Sequence, residues 1–124
     1  ATFASASGLQ DAGNLASAKD LATIARLGLY NKLFSELTAT KTMKVTSGQG
    51  RVYTLTTTNE LLDGVKVFGL KTGFTPAAGQ CLVTLSKING HDIITVMLAS
   101  PDRFGETTRL LDWVTNAYTW HQTN

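Results

Sequence analysis

With 124 residues, 43% of them hydrophobic, the chain can bury one compact core but not two. Its 16% of charged residues falls below the roughly 25% of an average globular protein, which excludes an acidic or disordered tail. A net charge of +2, with Lys41, Lys44 and Arg51 as the nearest approach to a basic patch, excludes a nucleic-acid footprint.

The chain opens Ala1-Thr2-Phe3, without a methionine or a signal peptide, a start that reads as processing or as an excised fragment. The residues before Ser17 are rich in Ala, Ser and Gly and read as an irregular loop. Ser17-Ala18-Lys19-Asp20 is an S-x-x-D capping box, with the carboxylate also well placed for the helix dipole. Behind it Leu21, Ile24, Ala25 and Gly28 recur at helical spacing, and Gly28 is expected to end that helix. A second short helix is predicted with Leu29, Leu33, Phe34 and Leu37 on one face.

Thr42–Val45 and Arg51–Thr56 read as two strands around the turn Ser47-Gly48-Gln49-Gly50. The polar stretch Thr57-Thr58-Asn59-Glu60 leads to Leu61-Leu62, and Asp63-Gly64 marks a turn. An apolar run from Val65 to Leu70 then predicts a strand that surfaces at Lys71-Thr72-Gly73. Asn89-Gly90 predicts a two-residue hairpin, because both residues tolerate the positive φ of a type I′ turn. The register follows: Val83 opposite Val96, Leu85 opposite Ile94, Lys87 opposite Asp92, Ile88 opposite His91. One face then carries Cys81, Val83, Leu85, Ile94, Val96 and Leu98. The other is mixed, with Leu82, Thr84, Ser86, Ile88, Ile93, Thr95 and Met97. Neither face is polar, so helices are expected on both. A last helix is predicted from Ser100-Pro101, with Ser100 as its cap. Its expected buried stripe is Phe104, Leu110, Leu111, Val114, Ala117 and Tyr118, flanked by Trp113 and Trp120 as packing residues.

No apolar run approaches the roughly 20 residues that span a bilayer. Cys81 is the single cysteine, so an internal disulfide and a thiolate metal cage are excluded, and it reads as inert core. His91 and His121 read as solvated, and no three or four converging ligands suggest a metal.

Read alone, Lys71 is an ordinary lysine at a strand end, Thr72 a β-branched strand residue, and Gly73 a bulge glycine. Their context is more specific. Lys-Thr-Gly is the third motif of the penicillin-recognising serine acyl-transferases, whose others are Ser-x-x-Lys and Ser-x-Asn. Thr58-Asn59-Glu60-Leu61-Leu62, Gly69-Leu70-Lys71-Thr72-Gly73-Phe74-Thr75 and Ala78-Gly79-Gln80-Cys81-Leu82 together resemble the D-alanyl-D-alanine carboxypeptidases, the low-molecular-mass penicillin-binding proteins. Phe3 to Leu9 with Ser17–Ala22 resembles the segment after that family's Ser-x-Asn motif. Arg103 with Leu110-Leu111-Asp112-Trp113 resembles the opening of its closing helix. The family often has Asn where Ser5 stands and His where Asn14 stands, departures expected to remove a structural hydrogen bond.

The resemblance implies an α/β fold of the α+β type: an antiparallel sheet with flanking helices, as one domain spanning residues 1–124 and forming the C-terminal part of the catalytic domain. It implies that Lys71 and Thr72 hold the substrate's terminal carboxylate and that Lys71 helps relay a proton. Gly73 would let the substrate backbone approach, the Phe74 amide would be an oxyanion donor, and Thr75 would line the cleft. The Phe74 side chain is expected in the core or the cleft wall. No cofactor is implied.

Neither remaining motif is present. No serine has a lysine three residues on, and the two threonines that do, Thr38 and Thr84, precede their lysines at a helix end and in a strand. The nucleophile is therefore expected outside this chain, which alone is expected to be inactive. The partners implied are a stem peptide ending in D-Ala-D-Ala or a β-lactam, and either the N-terminal part of the domain or a second copy of the chain. The location implied is the cell envelope, outside the cytoplasmic membrane. A non-catalytic peptide-binding module and a β-lactamase relative stand as alternatives.

Overall fold

The computed structural model describes residues 1–63 and 66–120. Part of the turn expected at Asp63-Gly64, the first residue of the Val65–Leu70 run, and His121 lie outside the described residues. The elements run α1 (Ala18–Gly28), α2 (Lys32–Thr38), β1 (Thr42–Thr46), β2 (Val52–Thr56), β3 (Val67–Thr75), β4 (Gly79–Ile88), β5 (His91–Ser100) and α3 (Arg103–Ala117).

α1 starts where its capping box sits. The Ser17 hydroxyl accepts from the Asp20 amide at 3.2 Å, and the Asp20 carboxylate accepts from the Ser17 amide at 3.0 Å. The Ser17 amide and then its hydroxyl hold the Asp20 carboxyl down from 3.8 to about 2. α1 ends at Gly28, as expected, and the glycine has a packing reason: a Cβ there would stand 2.9 Å from the Phe34 ring. Leu29 caps α1 rather than joining the second helix. Asn31 starts α2 instead, its side chain accepting from the Phe34 amide at 3.1 Å. Upstream, the loop closes on itself through a Thr2–Leu15 bridge. The expected loss of a hydrogen bond there does not occur. Asn14 Oδ1 accepts from the Ala4 amide at 2.8 Å, and its Nδ2 donates to the Ser5 hydroxyl at 3.2 Å.

Two antiparallel sheets form: the β1–β2 ribbon, and a three-stranded sheet in the order β3-β4-β5. The Asn89-Gly90 turn has φ of 50° and 83°, and the register is the one expected, through the Lys87–Asp92 pair at 2.8 Å. It breaks near the far end, where Gln80 meets Ser100 and Leu82 meets Met97. That leaves Leu98 and Ala99 opposite Cys81, an extra residue of the kind a β-bulge accommodates, with Ala99 at φ 51°.

Burial reverses the simplest reading of the two faces. The mixed face is the core: Leu82, Thr84, Ser86, Ile88 and Thr95 are all buried. The Thr84 and Thr95 hydroxyls satisfy one another across the strands at 2.6 Å, which makes that burial tolerable. The wholly apolar face of Cys81, Val83, Leu85, Ile94 and Val96 is only half-buried, and Leu98 is exposed. α1 and α3 lie against β4 and β5, and α2 lies against β3.

α3 begins later than expected. Ser100 is the last residue of β5, held there by pairing with Gln80, so it cannot cap. Asp102 caps instead and accepts from the Gly105 amide at 2.9 Å, while the Ser100 hydroxyl donates to Glu106. The buried positions of α3 are Thr107 and Val114. Phe104, Leu110 and Leu111 are half-buried, and Ala117 and Tyr118 are exposed.

Candidate functional site

β3 pairs with β4 on one side only; on its other edge no described strand is paired. An antiparallel ladder turns the backbone groups of alternate residues to each edge, so a free edge can accept an extended peptide. Leu70, Lys71 and Thr72 of β3 wall two cavities, and Gly73 lines the second of them. One, of about 410 Å³, lies between β3, the end of α2 and the β1–β2 ribbon, with Leu37, Met43 and Leu55 as apolar wall and Thr58 and Thr72 among its hydroxyls. The other, of about 380 Å³, lies between β3, β4 and α1, against Leu21, Ile24, Phe34 and Cys81.

Lys71 is exposed and lines both cavities, and its ammonium donates to the Thr72 carbonyl. The Thr72 hydroxyl is hydrogen-bonded to the Thr58 hydroxyl. Gly73 faces Cys81 across the ladder, and a Cβ on it would meet only the Cys81 Cβ, at 3.8 Å. The structure thus brings Lys71, Thr72 and Gly73 to one stretch of edge strand beside open space. Phe74 and Thr75 stand just beyond it. The Phe74 side chain is 66% exposed, so of the two places expected for it, core or cleft wall, the core is ruled out. The Thr75 hydroxyl accepts from the Ala78 amide at 3.1 Å and so holds the β3–β4 turn.

Three further residues hold this strand. Arg103, at the start of α3, donates from Nη1 to the Gly73 carbonyl at 2.9 Å, with its guanidinium 4.7 Å over the Phe104 ring. Asn59 is 5% exposed; its Nδ2 donates to the Gly69 carbonyl at 3.2 Å, and its Oδ1 accepts from the Leu61 amide at 3.1 Å. Thr58 completes the set through Thr72. All three belong to the motif stretches quoted above, but residue type and spacing alone gave no signal of what they touch.

Elsewhere, His91 is exposed, as expected, and one face of its ring stacks on Trp120 at 4.4 Å, beyond the end of α3. Cys81 is half-buried at a cavity wall, not sealed in the core. Among the described residues, no group of three His, Cys, Asp or Glu could hold a metal ion, and no helix is long and apolar enough to cross a membrane.

Known proteins resemble the chain in sequence and in fold. The chain is 31% identical over 120 residues to a D-alanyl-D-alanine carboxypeptidase of Streptomyces sp. (strain K15), covering 90% of this chain and 41% of that protein. It is 27% identical over 124 residues to the D-alanyl-D-alanine carboxypeptidase DacF of Bacillus subtilis (strain 168), covering 97% and 32%. The chain therefore spans less than half the length of these curated relatives. The crystal structure of the Streptomyces K15 DD-transpeptidase superposes with a TM-score of 0.78 at 28% identity, over 90% of this chain and 45% of that one. Penicillin-binding protein D2 of Listeria monocytogenes, in its cefotaxime-bound form, superposes with a TM-score of 0.72 at 33% identity, over 89% and 46%. The fold is thus part of the penicillin-binding-protein fold: antiparallel sheets with flanking helices. With residues 1–102 also matching the Peptidase S11 model, described as D-alanyl-D-alanine carboxypeptidase, the Lys71-Thr72-Gly73 strand sits in a chain that belongs to that family.

Proposed function

We propose that this chain supplies the substrate-gripping side of a serine-type D-Ala-D-Ala carboxypeptidase, a hydrolase that trims peptidoglycan stem peptides through an acyl-enzyme. The observation that carries this reading is Lys71-Thr72-Gly73 on the free edge of β3, with Lys71 and Thr72 opening on a 410 Å³ cavity. A stem peptide adds to that edge as an extended strand. Its terminal carboxylate accepts from the Lys71 ammonium and the Thr72 hydroxyl, both donors that a carboxylate requires. Gly73 carries no side chain to hold the peptide backbone away. The Phe74 amide donates to the oxygen that becomes negative as the peptide bond is attacked. Thr75, by fixing the turn behind it, sets where the cleft ends. Lys71 also passes a proton along the site.

The attacking serine lies outside these 124 residues, since no serine here is followed three residues on by the lysine that would take its proton. The whole domain, of which residues 1–124 form one part, works in the cell envelope outside the cytoplasmic membrane. A β-lactam enters as a mimic of the dipeptide terminus, a reading supported by the cefotaxime-bound form of the Listeria relative. The absent Ser-x-x-Lys equally favours a second reading, a module that binds stem peptides without cleaving them.

Intact-mass spectrometry after incubation with a β-lactam tests the division of labour. The chain is expected to keep its mass. Addition of one β-lactam to a hydroxyl of this chain would overturn the claim that the nucleophile lies outside it. Acylation that appears only when the N-terminal part of the domain is supplied supports the enzyme over the module.

A further inference from the structure

We propose that Thr58 is a positioning residue for Thr72, directing that side chain's proton toward a bound anion; the inference rests on the carboxylate-binding role given to Thr72 above. The Thr58 and Thr72 hydroxyls are hydrogen-bonded to each other, and both line the 410 Å³ cavity. A bond between two hydroxyls uses one proton and leaves the other free. If Thr72 donates, its proton is spent on Thr58. If Thr58 donates, the Thr72 proton is available to the cavity. A carboxylate only accepts, so its arrival selects the order Thr58 to Thr72 to anion. Donors in such a chain polarise one another.

Thr58 is fixed well enough to impose this order. On one side, the Thr57 amide donates to the Lys41 carbonyl at 2.9 Å. On the other, buried Asn59 donates to the Gly69 carbonyl on the same strand as Thr72. The segment carrying Thr58 is therefore tied to β3 independently of the hydroxyl pair, and removing the Thr58 hydroxyl leaves those ties in place. Lys71 supplies charge but no preference for hydroxyl direction. A neutral amide at the ligand's end can accept through its oxygen or donate through its nitrogen and so fits either hydroxyl order, whereas a carboxylate depends on this one.

The test is a titration of the chain, followed by NMR shifts of β3 amides, with an N-acetylated peptide ending in D-Ala-D-Ala and with its C-terminal amide. Thr58→Val keeps the side-chain shape and removes the hydroxyl. It is expected to weaken binding of the carboxylate peptide about fivefold and leave the amide peptide unchanged. Thr58→Ser is expected to restore binding to within about twofold of the original chain. Should the valine variant fail to fold, Thr58→Ala gives the same carboxylate-to-amide ratio. If Thr58→Val binds both peptides as the original chain does, or loses both equally, the positioning role is overturned and the functional reading stands. If the original chain itself does not distinguish the two peptides, the functional reading fails and the positioning role falls with it.

Discussion

Asn59 and Gly69 show how the strand that carries Lys71-Thr72-Gly73 is itself held. Asn59 is buried, and its amide nitrogen is the partner of the Gly69 carbonyl. Asn59→Ala leaves that buried carbonyl unpaired and is expected to lower stability by about 1–3 kcal/mol in urea denaturation. Gly69 has φ 125°, and a Cβ on it would stand 2.9 Å from the Thr38 carbonyl oxygen of α2. Gly69→Ala therefore meets both an unfavourable backbone and a backbone atom, with an expected loss of about 1–3 kcal/mol in the same assay. Sequence alone marked Asn59 and Gly69 only as members of a motif. It could not say that one pegs the other, because the two meet through a strand-to-loop contact that no local periodicity encodes. The same limit explains Arg103. Its partner, the Gly73 carbonyl, lies 30 residues away on another element.

At the scale of elements, what local chemistry determines was legible and what tertiary contact determines was not. The Ser17–Asp20 box and the Asn89-Gly90 turn lie within a few residues of themselves, and both formed as read. The start of α3 and the boundary at Leu29 depended on competition. Ser100 is claimed by β5, and Asn31 out-competes a continuous helix. The faces of the β4–β5 hairpin were read correctly in membership, but which face forms the core is set by what packs on it. The capping box gives a pH prediction. Asp20 is held at about 2 in the folded chain, below its ordinary 3.8. A carboxyl with a lowered folded pKa contributes stability that is complete above the unfolded value and lost as pH falls through the folded one. Melting temperature followed by circular dichroism is thus expected to drop between pH 3.8 and about 2, and Asp20→Asn is expected to flatten the profile in that window. An unchanged profile would show that the box does not couple to folding.

For the whole molecule, the distribution of apolar surface matters most. Val52, Tyr53 and Leu55 on the ribbon, Ile24 and Leu27 on α1, and Leu98 on β5 are all exposed. Among the described residues β5 is paired on one edge only, and the apolar face of the hairpin is half-covered. Such a surface is a hazard for a chain on its own and fits a partner that completes the sheet, either the N-terminal part of the domain or a second copy. Multi-angle light scattering at high protein concentration is expected to show association, and a stable monomer would count against it.

The central claim is that Lys71 and its neighbours hold a peptide's terminal carboxylate without cleaving the peptide. The most direct measurement is a calorimetric titration of the chain and of Lys71→Ala with a peptide ending in D-Ala-D-Ala, followed by mass analysis of the peptide. Reversible binding that weakens by at least about tenfold in Lys71→Ala, with the peptide recovered whole, is the predicted result. Equal binding by both chains, or release of D-alanine by the original chain alone, would contradict it.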